Sequence, residues 1–144
     1  MPAQSENNIA RLLRLNAITN PAQPAEERWF HHYGLDPRRV EANTPQDILA
    51  HATDCDVLFV VAAALPPEVV HGLDRCRLIS RLGNGTDKIA VDTATQRGIV
   101  VANAPYFCVA EMADHIMAML LALSRRLPAM DHHMRAGAYA IARH

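Results

Sequence analysis

The chain has 144 residues, half of them hydrophobic, with 14 basic and 15 acidic side chains and a formal charge of -1. That length and apolar share suit one ordinary globular domain, and so even a charge balance offers no footprint for nucleic acid or an anionic membrane. The three cysteines, Cys55, Cys76 and Cys108, form no CxxC and leave an odd count, which argues against a disulfide scaffold. No basic-then-apolar leader opens the chain. Its most apolar stretch, 116–123, meets charge on both sides before reaching the ~18 residues of a membrane span. The expectation is a reduced, soluble, cytoplasmic domain with no nucleic-acid or membrane partner.

Taken in order, residues 11–18 read as a strand stopped by Thr19-Asn20-Pro21. Residues 24–33 read as a helix, since Pro24 is tolerated in a first turn and Gly34 ends it. A short run at 40–43 suits an edge strand. Thr44, followed by Pro45 and Asp47, is a helix start signature. Residues 56–61 are apolar after Asp56 without alternation, as in a strand buried on both faces. A helix follows at 66–72, a strand at 77–82, a turn at Gly83-Asn84-Gly85, a helix at 91–97 closed by Gly98, and a strand at 99–102. Strands alternating with helices imply right-handed crossovers and a parallel sheet covered on both faces. The fold class is α/β, a doubly wound five-stranded parallel sheet ending near Ala104. Residues 109–127 then read as one long helix whose apolar side chains occupy more than one stripe. Such a helix needs a covering partner, either a second domain or a second subunit.

The strongest chemical candidate is Arg81-Leu82-Gly83-Asn84-Gly85-Thr86-Asp87, just past the carboxyl end of a parallel strand, where open α/β sheets place ligands. Two glycines one residue apart let backbone amides approach a carboxylate or phosphate with no Cβ in the way. Arg81 can add a fixed positive charge. Spacing alone also fits a plain strand-to-helix turn, and the run is not GxGxxG because position 88 is Lys88, the one lysine of the chain. Glu111 and His115 are neighbours on one helical face and suit an ion pair better than an acid–base pair. The doublets His31-His32 and His132-His133 lack metal-ligand spacing and read as surface residues, and Cys108 as a packed thiol. No GxSxG and no P-loop is present.

Together these pieces resemble the D-isomer-specific 2-hydroxyacid dehydrogenase family. The matching runs are 55–60, 77–89, 94–105, 109–115, 123–128 and 134–137, in the family's order and spacing. The resemblance implies a flavodoxin-like substrate domain over residues 1–104. Residues 105–144 would be a crossing helix and the start of a Rossmann domain for NAD, in a homodimer. It implies that Arg81, Leu82, Gly83, Asn84 and Gly85 form the loop whose amides hold a substrate carboxylate, with Asn84 beside the nicotinamide. In that family the Rossmann glycine motif, the catalytic arginine, the acidic residue and the histidine base all lie downstream of this helix, past His144. The implied function is therefore the substrate-binding part of an NAD-dependent oxidoreductase acting on small 2-hydroxy or 2-oxo acids, inactive alone and without catalytic residues of its own. Val61-Ala62 stands where members acting on phosphorylated acids carry Arg-Ser, which disfavours a phosphorylated substrate, and Ala90 replaces a common aspartate. The alternatives are an NADH-responsive corepressor-like binding module and a stand-alone small-carboxylate-binding domain.

Overall fold

Local sequence explains each element of the computed structural model, which describes residues 10–138. The chain divides into two compact units, Met1–Pro105 and Tyr106–His144. In the first, strand β1 (Leu12–Leu15) leads to helix α1 (Pro24–His32) and strand β2 (Arg38–Val40). Helix α2 (Pro45–Ala52) starts at Thr44, whose Oγ1 accepts from the Asp47 amide at 3.2 Å and donates to Asp47 Oδ2 at 2.7 Å. That reciprocal cap satisfies an amide the first turn leaves unpaired. Strand β3 (Val57–Val60), helix α3 (Pro67–His71), strand β4 (Leu78–Arg81), helix α4 (Val91–Gln96) and strand β5 (Val100–Ala102) follow.

All strand pairs are parallel, in the order β2-β1-β3-β4-β5. Register places Leu13 beside Leu58 and Leu58 beside Ile79, so fully buried side chains of β1, β3 and β4 line one face. Ile48 of α2, Val69 and Val70 of α3, and Ala94 of α4 complete that core. Each large side chain buried there contributes roughly 1.5–3 kcal/mol. The opposite face is covered by α1 through two contacts of different kinds. The Phe30 and Phe59 rings meet edge to face at 5.5 Å, and Arg14, 2% exposed, donates to both carboxylate oxygens of Glu26 at 2.6 and 3.2 Å. The chain leaves β1 toward β2 and returns past it to β3. That reversal opens a crevice at the carboxyl ends of the strands, the ligand position of doubly wound sheets.

Three boundaries differ from the sequence reading. The first strand stops at Leu15, because Asn16 turns left-handed at φ 59 and Ile18 is left 79% exposed. The edge strand lies at Arg38–Val40, upstream of the expected run, and Ala42 packs in the core instead. In the second unit the expected single helix over 109–127 is two: α5 (Val109–Ser124) and α6 (Leu127–Arg135), separated by Arg126 at φ 53. Pro128, in the first turn of α6, carries no amide to donate and so fits a helix start. No residue of α5 or α6 is buried. The expected ion pair between Glu111 and His115 does not form among the described contacts. Among the described residues, no helix is long and apolar enough to cross a membrane.

Candidate functional site

Strand exits converge at the carboxyl edge of the sheet, and the side chain that gathers them is Asn16. Only 1% exposed, its Oδ1 accepts from the amides of Ala62 and Ala63 at 3.1 and 3.0 Å, just past β3. Its Nδ2 donates to Asn43 Oδ1 at 2.7 Å, past β2. Asn43 in turn donates to Glu41 Oε1 at 2.9 Å. The Glu41 carboxylate also accepts from the Ile18 and Thr19 amides at 2.9 and 3.1 Å and from the Thr19 hydroxyl at 2.9 Å. These bonds favour the charged form: the Thr19 and Ile18 amides are the largest influences, and they bring the Glu41 pKa down to about 2. The sequence reading missed Asn16, Glu41 and Asn43. The available signal was an asparagine interrupting an apolar run, a residue type that tolerates the left-handed region.

The glycine loop past β4 is built from Arg81 outward. Arg81 Nε donates to Gly85 O at 3.1 Å, folding the side chain back across the loop. A Cβ on Gly83 would lie 2.6 Å from Arg81 Nη1, and one on Gly85 would lie 2.7 Å from Asp87 Oδ1. The Arg81 guanidinium and the Asp87 carboxylate thus pack directly on the two glycines, and a Cβ at either would have to push that side chain aside. Neither adopts the positive φ that turn glycines often need, which is found instead at Gly34, Gly98 and Gly137. The loop is tied to the β5 exit by Asn84 Nδ2 donating to Pro105 O at 2.5 Å, Asn103 Nδ2 donating to Asn84 O at 2.6 Å, and the Ala104 amide donating to Gly83 O at 3.0 Å.

The five expected site residues therefore fall together, but they differ in what they can offer. The Leu82 amide already donates to Val60 O at 2.9 Å and the Gly83 amide to Arg81 O at 2.8 Å. Among the described residues, no hydrogen bond engages the amides of Asn84 and Gly85. These two remain available to an anion, along with Asn84 Oδ1 as an acceptor. Beside them, Arg81 Nη1 is buried with no hydrogen-bond partner. A buried donor left unmade is destabilising, by about 1–3 kcal/mol, and this one lies against Gly83 in the same loop.

Two hollows flank this loop. On the α1 face, a groove of about 570 Å³ is lined by Arg14, Thr19, Asn20, Val61 and Leu82 among others. On the α3–α4 face, a cavity of about 160 Å³ is bounded by Ala63, Arg81, Gly85 and Ile89. Among the described residues, no group of three or more His, Cys, Asp or Glu could hold a metal ion.

Residues 16–137 match the family described as D-isomer specific 2-hydroxyacid dehydrogenase, catalytic domain. A D-3-phosphoglycerate dehydrogenase of Mycobacterium tuberculosis is 35% identical over 102 residues, 70% of this chain and 19% of its own length. A glyoxylate reductase of Korarchaeum cryptofilum is 32% identical over 115 residues, 78% of this chain and 35% of its own. The chain thus spans about a fifth to a third of these curated relatives. A D-lactate dehydrogenase of Aquifex aeolicus, solved with NAD and lactic acid, superimposes with a TM-score of 0.72 at 18% identity, over 90% of this chain and 38% of that one. That likeness speaks for the fold.

Proposed function

The chain belongs to the D-isomer specific 2-hydroxyacid dehydrogenase family, and from that premise we propose that its first 104 residues form the substrate-binding domain of an NAD-dependent enzyme acting on small 2-hydroxy or 2-oxo acids. One observation carries this reading: the unengaged amides of Asn84 and Gly85, in the two consecutive peptide units that flank the Asn84 Cα, at the carboxyl end of a parallel strand. A carboxylate bridging them receives two charge-assisted hydrogen bonds, the stronger kind. Leu82 and Gly83, whose amides are taken, serve as the hinge that holds the pair in place, and Arg81 adds its positive charge.

Asn84 also fits the nicotinamide end of NAD. Its Nδ2 is held by Pro105 O, which orients the free Oδ1 as an acceptor for an amide group. The chemistry such a cofactor supplies when bound is hydride transfer. Within residues 81–85 no histidine or carboxylic acid stands ready to give a proton to a carbonyl, so this chain's part is binding and orientation. The exposed apolar side chains of α5, among them Ile116 at 55% and Leu120 at 57%, call for a cover, and a second copy of the chain in a homodimer supplies it. The three free thiols suit a reducing compartment such as the cytoplasm.

The purified chain is expected to retain lactate or pyruvate in equilibrium dialysis with a dissociation constant of about 1 mM, the range of a few hydrogen bonds. It is expected to oxidise NADH with pyruvate only at background rate. No retention, or clear turnover, would overturn the assignment.

A further inference from the structure

We propose that Cys55 and Cys76 form a redox-modification site, a dithiol that hydrogen peroxide converts to a disulfide joining the starts of β3 and β4. The site lies at the amino edge of the sheet and does not depend on the carboxylate role of the glycine loop.

Matched turns bring the two residues together. Each cysteine closes the passage from a helix to the next strand with the same bond: the Cys55 amide donates to Ala52 O at 3.2 Å and the Cys76 amide to Leu73 O at 3.3 Å. Each then stands two residues before a strand, at Val57 and at Leu78, and those two residues are partners in the parallel register. The Arg77 amide donates to Asp56 O at 2.8 Å, so the chains already run side by side one residue past the cysteines. Neighbouring strands lie about 4.8 Å apart, within the span of about 4.4–6.8 Å between Cα atoms that a disulfide bridges. Both side chains belong to the same buried core, and their sulfurs hydrogen-bond each other.

The two thiols are not equivalent. Cys55 is 1% exposed and Cys76 7%. The Cys55 thiol donates to the Cys76 sulfur, and that bond is the largest influence lowering the Cys76 pKa and raising that of Cys55. Cys76 therefore carries the thiolate and meets the oxidant, and Cys55 resolves it. A surface hollow of about 300 Å³, bordered by Cys55, Arg11, Arg38 and Asp54, brings solvent to the pair. The Cys76 thiolate attacks one peroxide oxygen, the O–O bond breaks, and Cys55 gives its proton to the departing hydroxide. Cys55 then attacks the sulfenic sulfur: the S–S bond forms, the S–O bond breaks, and the second hydroxide takes up the proton that Cys76 released on ionising. Two thiols and one peroxide thus give one disulfide and two waters, the sulfurs losing the two electrons that the oxygens gain. Cys108, the third thiol, is the more exposed of the three and lies in the second unit. Exposure alone would have it oxidised first.

Peptide mapping of the 144-residue chain decides between the two, because cleavage after arginine separates the cysteines into residues 40–75, 76–77 and 98–125. The reduced chain is exposed to equimolar hydrogen peroxide, its remaining thiols are alkylated, and it is digested with trypsin. The expected result is 40–75 joined to 76–77, with Cys108 alkylated and the link reversed by dithiothreitol. In Cys55→Ser, which keeps a hydroxyl donor, dimedone is expected to capture a sulfenic acid at Cys76. In Cys76→Ser, Cys55 is expected to stay unlabelled. The wild-type digest stands whether or not either variant folds. Oxidised Cys108 with 40–75 and 76–77 still alkylated would overturn the site, as would Cys76 recovered as sulfinic acid with no link. Dimedone on Cys55 rather than Cys76 would overturn the division of roles.

Discussion

The two edges of the sheet treat their polar groups in opposite ways. At the amino edge they are used on one another. Asp56 accepts from the Arg11 amide at 2.8 Å and from Arg75 at 3.1 Å, and the Arg11 amide is the largest influence holding its carboxyl below the usual carboxylate range. Asp54 pairs with Arg11 and Arg38, each at 3.3 Å. The neighbouring thiols of Cys55 and Cys76 hydrogen-bond each other, which pushes the Cys55 pKa up and the Cys76 pKa down. At the carboxyl edge the exit loops are braced just as firmly by Asn16, Glu41 and Asn103, yet two amides and one buried guanidinium nitrogen stay without partners. Of these open donors the guanidinium nitrogen is buried, and the carboxylate proposed for the loop is what would complete the two amides.

The contrast is broken most severely at Asn16. Asn16→Ala removes the acceptor of two amides and places alanine at φ 59, so unfolding in urea is expected to show a loss of about 3 kcal/mol. Asn16→Asp retains an acceptor and is expected to lose clearly less. Equal losses would mean that an acceptor for the Ala62 and Ala63 amides does not set the stability. Gly83→Val comes next: its Cβ would meet the Arg81 guanidinium. Such overpacking costs about 2 kcal/mol, and lactate retention should vanish as the Asn84 and Gly85 amides move. Normal retention in that variant would return the loop to the status of a simple turn.

The amino edge is the control. Asp56→Asn is expected to cost under about 1 kcal/mol, since its ion pair with Arg75 lies near the surface, and to leave lactate binding unaltered. The smallest effect is the pH response of Glu41. Its folded-state pKa, about 2, lies below the ordinary 4.5, so its stabilising contribution is complete above about pH 4.5 and disappears as pH falls through 2. Between those values the denaturation midpoint should fall more steeply for the wild type than for Glu41→Gln. Parallel curves would show that the carboxylate does not brace the β1 exit.

Much of this was legible in the residues, unevenly. The buried strand at 57–60 and the Thr44 cap follow from apolar runs and turn chemistry acting within a few residues, and the order of strands and helices follows with them. The glycine loop was visible as a loop, but its cause was not. The two glycines read as clearing space for an anion, whereas the packing of Arg81 and Asp87 against them is a tertiary fact. The Asn16–Asn43–Glu41 network joins residues up to 27 positions apart, and polar side chains in exit loops carry no periodic signal. The break at Arg126 was equally hidden, because arginine gives no hint of a left-handed turn. Pro128 two residues later was the one mark of a new helix start.

The central claim is that the free donors of the carboxyl edge receive a carboxylate. Titration of the isotopically labelled chain with lactate, followed amide by amide in nitrogen–proton correlation spectra, tests it most directly. The account predicts saturable shifts led by Asn84 and Gly85, with Cys55, Asp56 and Arg77 at the amino edge unmoved. Shifts centred on the amino edge, or an unresponsive Asn84 and Gly85 while lactate binds elsewhere, would contradict it.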